Sequence, residues 1–123
     1  MANDQLDSFG IYKIACELFD CFWEDSEILG KDYRGCELVR QQTRSLDSVC
    51  ANIEEGYGRG VNKELPQHLK IAQGEARESK RRYRRCKHLL SPDLIDQRIA
   101  VLDHIIGGLT NTFYTIEGER SSE

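Results

Sequence analysis

The stretch Asn52–Leu65, "NIEEGYGRGVNKEL", decides how this chain is read. Helix formers run up to Glu55, then Gly56, Gly58, Arg59 and Gly60 follow within five positions. Glycine takes positive φ at no steric cost, so Gly56 and Gly58 predict the C-terminus of a helix. Asn62 offers an N-cap for the next one, and Glu64 suits the positive end of a first turn. Pro66 loses little there, because the early N–H groups of a helix have no internal partner. The stretch is therefore a turn between two helices.

Working outward from it, every long segment has a helical period and none alternates as a strand does. Before the turn, Val39, Gln42 or Thr43, Leu46, Val49, Cys50, Ile53 and Tyr57 make one face of a helix over about residues 33–57. After it, Leu65, Leu69, Ala72, Ala76, Ser79, Tyr83, Cys86 and Leu90 follow a 4-3 alternation over about 62–90. Ala72, Ala76 and Ser79 are small, so a neighbouring helix can come close at mid-length. Upstream, Ile11, Ala15, Leu18 and Phe22 form a stripe, and Tyr12, Cys16, Phe19 and Trp23 form a second beside it. That helix is expected over about 6–25, stopped by Gly30. Downstream, Ser91-Pro92 reads as an N-cap with proline at the first helical position. The last helix, about 92–117, carries Ile95, Ile99, Leu102, Ile106, Leu109, Phe113 and Ile116. Gly107 and Gly108 interrupt it, which predicts close packing or a bend. The expected fold is all-α: an up-down-up-down antiparallel four-helix bundle, one domain over 1–123, roughly 30–40 Å long.

The bulk numbers agree. Of 123 residues, 31% are charged and 39% apolar, the balance of a soluble globular protein. No apolar run approaches the ~20 residues of a membrane span. "MANDQLDSFG" lacks the basic and apolar regions of a secretory signal, so a cytoplasmic protein is expected. Five cysteines (Cys16, Cys21, Cys36, Cys50 and Cys86) form no C-x-x-C pair and read as small hydrophobes. Three positions before His68, His88 and His104 stand Leu65, Arg85 and Val101, so the Glu-x-x-His of di-iron bundles is missing and neither metal nor cofactor is expected. The histidines are scattered, no nucleophile elbow or phosphate loop occurs, and the adjacent Glu54 and Glu55 point about 100° apart on a helix. An enzyme is not expected.

The spacing around the opening stretch resembles that of bacterial four-helix bundle proteins named for genes found in intervening sequences of 23S rRNA genes. Their pattern, Q-x-x-R-x-x-x-S-x-x-x-N-I-x-E-G-[FY]-G-R, is met by Gln41, Arg44, Ser48, Asn52, Ile53, Glu55, Gly56, Tyr57, Gly58 and Arg59. The next helix resembles E-[FL]-x-x-x-L-x-I-A-x-G-x-x-x-E through Glu64, Leu65, Leu69, Ile71, Ala72, Gly74 and Glu78. Val61 departs from the family's Ser or Thr, as do Cys50 from its frequent Pro and Glu75 from its frequent Ser. Such proteins are similar to the accessory variability proteins of diversity-generating retroelements. The resemblance implies a homo-oligomer, a ring of five protomers, that binds RNA or DNA and partners a reverse transcriptase.

Two groups of polar residues are candidates for sites. Asn52, Glu55, Arg59 and Glu78 belong to the family pattern, and they read as a structural network holding the turn. The second group is "RESKRRYRRCKH", Arg77–His88, with seven Lys/Arg against one Glu in a chain whose net charge is −4. Cations near a helix C-terminus complement its dipole, and Glu78 is placed to pair with Arg82. Seven cations exceed that need, and like charges at i,i+4 repel, so an anionic counterpart is expected. One counterpart is phosphate, held by Arg77, Lys80, Arg81, Arg84, Arg85 and Lys87. The other is the acidic surface of a neighbouring protomer, at Glu24, Asp25, Glu27 and Asp32. Tyr83, inside the run, falls on the core seam.

Overall fold

A computed structural model describes residues 5–58 and 64–122, and they form helices with no strand among them. A single turn, α1 (Gln5–Ser8), leads into α2 (Gly10–Leu29). Then come α3 (Gly35–Gly58) and α4 (Leu65–Arg85). A 3-10 turn at Cys86–His88 joins α4 to α5 (Pro92–Ser122). Arg59 and Asn62 lie outside the described residues, so the expected N-cap and that member of the network do too. A helical bundle is the architecture consistent with this arrangement: α2 packs on α3 and α5, and α4 packs more extensively on the same two helices.

The core follows the periods of the sequence closely. All eight seam residues from Leu65 to Leu90 are buried, as are Leu46, Val49, Cys50 and Ile53 of α3 and Leu102, Ile106, Leu109 and Phe113 of α5. At the Gln42-or-Thr43 position it is Gln42 that is buried and Thr43 that is exposed. Ser91 accepts a hydrogen bond from the Leu94 amide through its Oγ at 3.2 Å, the expected cap.

Several boundaries differ, each for a local reason. The first helix does not stop near Asp25 but runs four residues further, and Asp25 and Leu29 continue its buried stripe. Helical order in the third segment gives way to the 3-10 turn, with the Leu89 and Leu90 amides both bonded to the Cys86 carbonyl at 2.9 Å. Gly56 and Gly58 take no positive φ, since α3 continues through both. Gly56 serves closeness instead: a Cβ there would meet Leu65 Cδ1 at 2.9 Å and His68 Cβ at 3.1 Å. Gly108 does the same for α2 and α5, where a side chain would overlap Ile11.

Candidate functional site

The basic run divides into three faces once it is wound onto α4. Arg82 points inward. It is buried, and its Nη1 donates to Gln42 Oε1 and Ser45 Oγ, both at 2.9 Å. Gln42 in turn donates to the Ser79 carbonyl at 3.0 Å, so Arg82 fastens α4 to α3 rather than pairing along the helix with Glu78. Burial lowers the Arg82 pKa first of all, and the nearby Arg85 adds to that effect. Lys80 points toward α5, its Nζ 2.6 Å from the Asp103 carboxylate.

The outer face carries the rest. Arg77, Arg81 and Arg84, followed by His88, succeed one another along it at three- and four-residue steps, all exposed. Arg85 and Lys87 flank them, also exposed. Among the described residues no carboxylate lies within ion-pair reach of Arg77, Arg81, Arg84, Arg85 or Lys87, whereas Arg34, Arg40, Arg44, Lys70, Lys80 and Arg98 each have one. The structure therefore brings together five of the six expected contacts as an uncompensated strip and takes Lys80 partly out of it.

The acidic surface expected to oppose that strip is reduced. Asp25 is fully buried, accepting from Tyr83 Oη at 2.6 Å and from Arg98 Nε and Nη2 at 2.9 and 3.0 Å. Asp32 accepts from Arg34 through both carboxylate oxygens and from the Arg34 amide, and these bonds hold its pKa down to about 2. Only Glu24 and Glu27 of the four remain exposed without such partners. The Asp25 assignment was the wrong one, because a carboxylate at a core position reads as solvated until its partners are seen.

Of the expected turn network, the described residues place Asn52 and Glu78 well apart along the bundle. Asn52 donates to the Ser48 carbonyl and Oγ at 2.9 and 3.0 Å, and its Oδ1 lies 3.3 Å from His68 Nδ1 on α4. Glu55 is exposed near the end of α3. Glu78 stands ten residues beyond His68 on α4, some ~15 Å further along the axis, and does not join Asn52. His68 is the residue missed here; it sits four residues after Glu64 at the expected helix start, and nothing but that proximity signals it. Among the described residues no three His, Cys, Asp or Glu side chains converge as a metal site requires. No described helix is long and apolar enough to cross a membrane.

A family model described as 23S rRNA-intervening sequence protein matches residues 7–106. The chain belongs to that family. The match takes in α2, α3, α4 and the first half of α5, so the strip and the Asn52–His68 contact both lie within the 23S rRNA-intervening sequence protein region. No curated protein and no solved structure shows a significant similarity to the chain.

Proposed function

We propose that this chain is a non-catalytic, nucleic-acid-binding accessory protein. Its protomer is an up-down-up-down antiparallel bundle, a single domain over residues 1–123. Support for that topology comes from cross-helix pairs that join beginnings to ends: Tyr12 to Glu54, Arg82 to Gln42, Lys70 to Glu117 and Asp25 to Arg98. Protomers assemble in the cytoplasm as a homo-oligomeric ring, five as the family resemblance implies, and the ring serves a reverse transcriptase. Repetition around a ring multiplies a modest patch, so weak phosphate contacts add through multivalency.

The single observation that carries the binding reading is the uncompensated strip, Arg77, Arg81, Arg84, Arg85 and Lys87, in a chain of net charge −4. Five such cations gathered on one helix of an acidic protein, with no carboxylate in reach among the described residues, favour a partner of negative charge. The alternative partner, an acidic neighbour's face, has lost Asp25 to the core and Asp32 to Arg34. Titration of labelled RNA and DNA, as single strands and as duplexes, at low and near-physiological salt tests the proposal. Three or four phosphate contacts per bound protomer predict an affinity loss of about 40- to 150-fold between about 50 and 200 mM salt. The triple variant Arg77→Glu/Arg81→Glu/Arg84→Glu should abolish it. Salt-insensitive or absent binding in the wild type sinks the proposal, and dissociation of the variant into monomers assigns the strip to protein contacts instead.

A further inference from the structure

Where α3 begins and α4 ends, a cleft of about 150 Å³ opens between Arg34, Leu38, Arg85, His88 and Leu89. Its lining is of two kinds. Leu38 and Leu89 are half-buried and apolar, while Arg34, Arg85 and His88 are exposed and basic. Arg34 also lies over the ring of Tyr33, its guanidinium carbon 5.8 Å from the centroid. Tyr33 does not line the cleft, but its ring is 85% exposed and lies against the Arg34 side chain that does. The rim is not loose: Asp32 grips the Arg34 side chain at 2.6 and 2.9 Å and its amide at 2.8 Å.

Magnitude narrows the ligand. Pockets that bury a small molecule whole span about 300–1,000 Å³, and this one is well below that range. It has room for one unit of a longer molecule. Cations beside an apolar wall and a free aromatic face match a phosphate attached to a flat, stackable ring, and every nucleobase has such a face. In a duplex the bases are stacked on one another, and neither Tyr33 nor the leucine wall would meet them. The cleft also opens at Arg85 and His88, the end of the basic strip, so a strand lying on α4 runs into it.

We propose that this cleft is a subsite for one unstacked nucleotide, and hence that the protein prefers single-stranded RNA or DNA to duplex. The phosphate sits between Arg85 and His88, its base lies against Leu38 and Leu89, and the adjacent base stacks on Tyr33. The inference rests on the nucleic-acid reading of α4 and names the substrate class for that surface.

The experiment compares labelled single-stranded RNA, single-stranded DNA, the matching duplex and an abasic strand on the intact protein. Wild type should bind either single strand at least about fivefold more tightly than the duplex or the abasic strand, the scale of one stacked base. Tyr33→Ala should remove that preference and leave duplex affinity within about twofold. Because Tyr33 is so exposed, its variant should melt with the wild type, and Arg85→Ala/His88→Ala provides a second test away from the ring. A strand carrying a photoreactive 5-bromouracil should crosslink to Tyr33. Equal, salt-sensitive binding of strand and duplex that Tyr33→Ala does not change overturns the cleft and leaves the proposed function standing. Failure of the wild type to bind any of these probes overturns both.

Discussion

Asp25 is a carboxylate taken wholly out of water, and its two partners determine what replacing it would do. Arg98 and Tyr83 satisfy it from 73 and 58 residues away in sequence. Removing one member of a buried ion pair leaves the other charge uncompensated, which costs about 3–5 kcal/mol. Asp25→Ala should lose that much in urea unfolding, whereas Tyr83→Phe, which keeps the Arg98 pair, should lose about 1 kcal/mol. The same core sets an alkaline limit. Burial and the bond to Asp25 push the Tyr83 phenol above its ordinary range, and burial pushes the Cys86 thiol up to about 11 from 9.0. Both groups hold their protons more tightly when folded, so their contribution is complete below pH 9; it declines from the ordinary 9.0 of the thiol upward for Cys86, and from the ordinary 10.0 of the phenol upward for Tyr83. Urea midpoints should therefore drop above pH 9 in the wild type, less steeply in Cys86→Ala. None of these partners was legible in the sequence, because helical period reports which face a residue occupies and not what reaches it from another helix.

At the scale of elements, α4 was the most readable part of the chain. Its 4-3 seam is apolar or small at every core position, so the period alone located the buried face. Arg82, expected to pair with Glu78 along the helix, stands beside the seam and turns inward to α3 instead, a contact that the period of α4 does not report. Its acceptors, Gln42 Oε1, Ser45 Oγ and, at 3.5 Å, the Gln41 carbonyl, are all neutral and predict an asymmetry. Gln42→Leu strands a buried guanidinium and should cost about 1–3 kcal/mol. Arg82→Met removes the charge together with its desolvation and should be closer to neutral by the same urea measurement. The glycines give a second contrast between elements. Gly74 and Gly107 are helical with nothing within 4 Å of an added Cβ, so either change to Ala should stabilise by about 1 kcal/mol. A Cβ at Gly35 would overlap the Leu29 carbonyl, and backbone cannot step aside, so Gly35→Ala should lower the melting temperature.

Taken as a whole, the molecule is polarised in charge and uneven in how it covers its apolar surface. The second stripe of α2 shows where the covering runs short. Tyr12, Cys16 and Phe19 are half-buried against the bundle, and Tyr12 reaches Glu54 of α3 at 2.7 Å. Trp23, at the end of that stripe, is 66% exposed beside a small cleft lined by Phe19, Phe22, Ser26, Val39 and Thr43. The sequence foresaw a helix with two apolar flanks, but period cannot distinguish a flank covered by the same chain from one left for another. A large indole kept in water is what a contact between protomers would bury, and Trp is a frequent anchor of such contacts. Light scattering on the wild type should give an integer multiple of 14.1 kDa rather than that mass itself. Trp23→Asp places a charge where that contact would close, so it should shift the particle toward monomer while circular dichroism keeps its helical signal. A 14.1 kDa wild type refutes self-assembly outright. A wild-type multimer that Trp23→Asp leaves intact puts the contact on some face other than this end of α2.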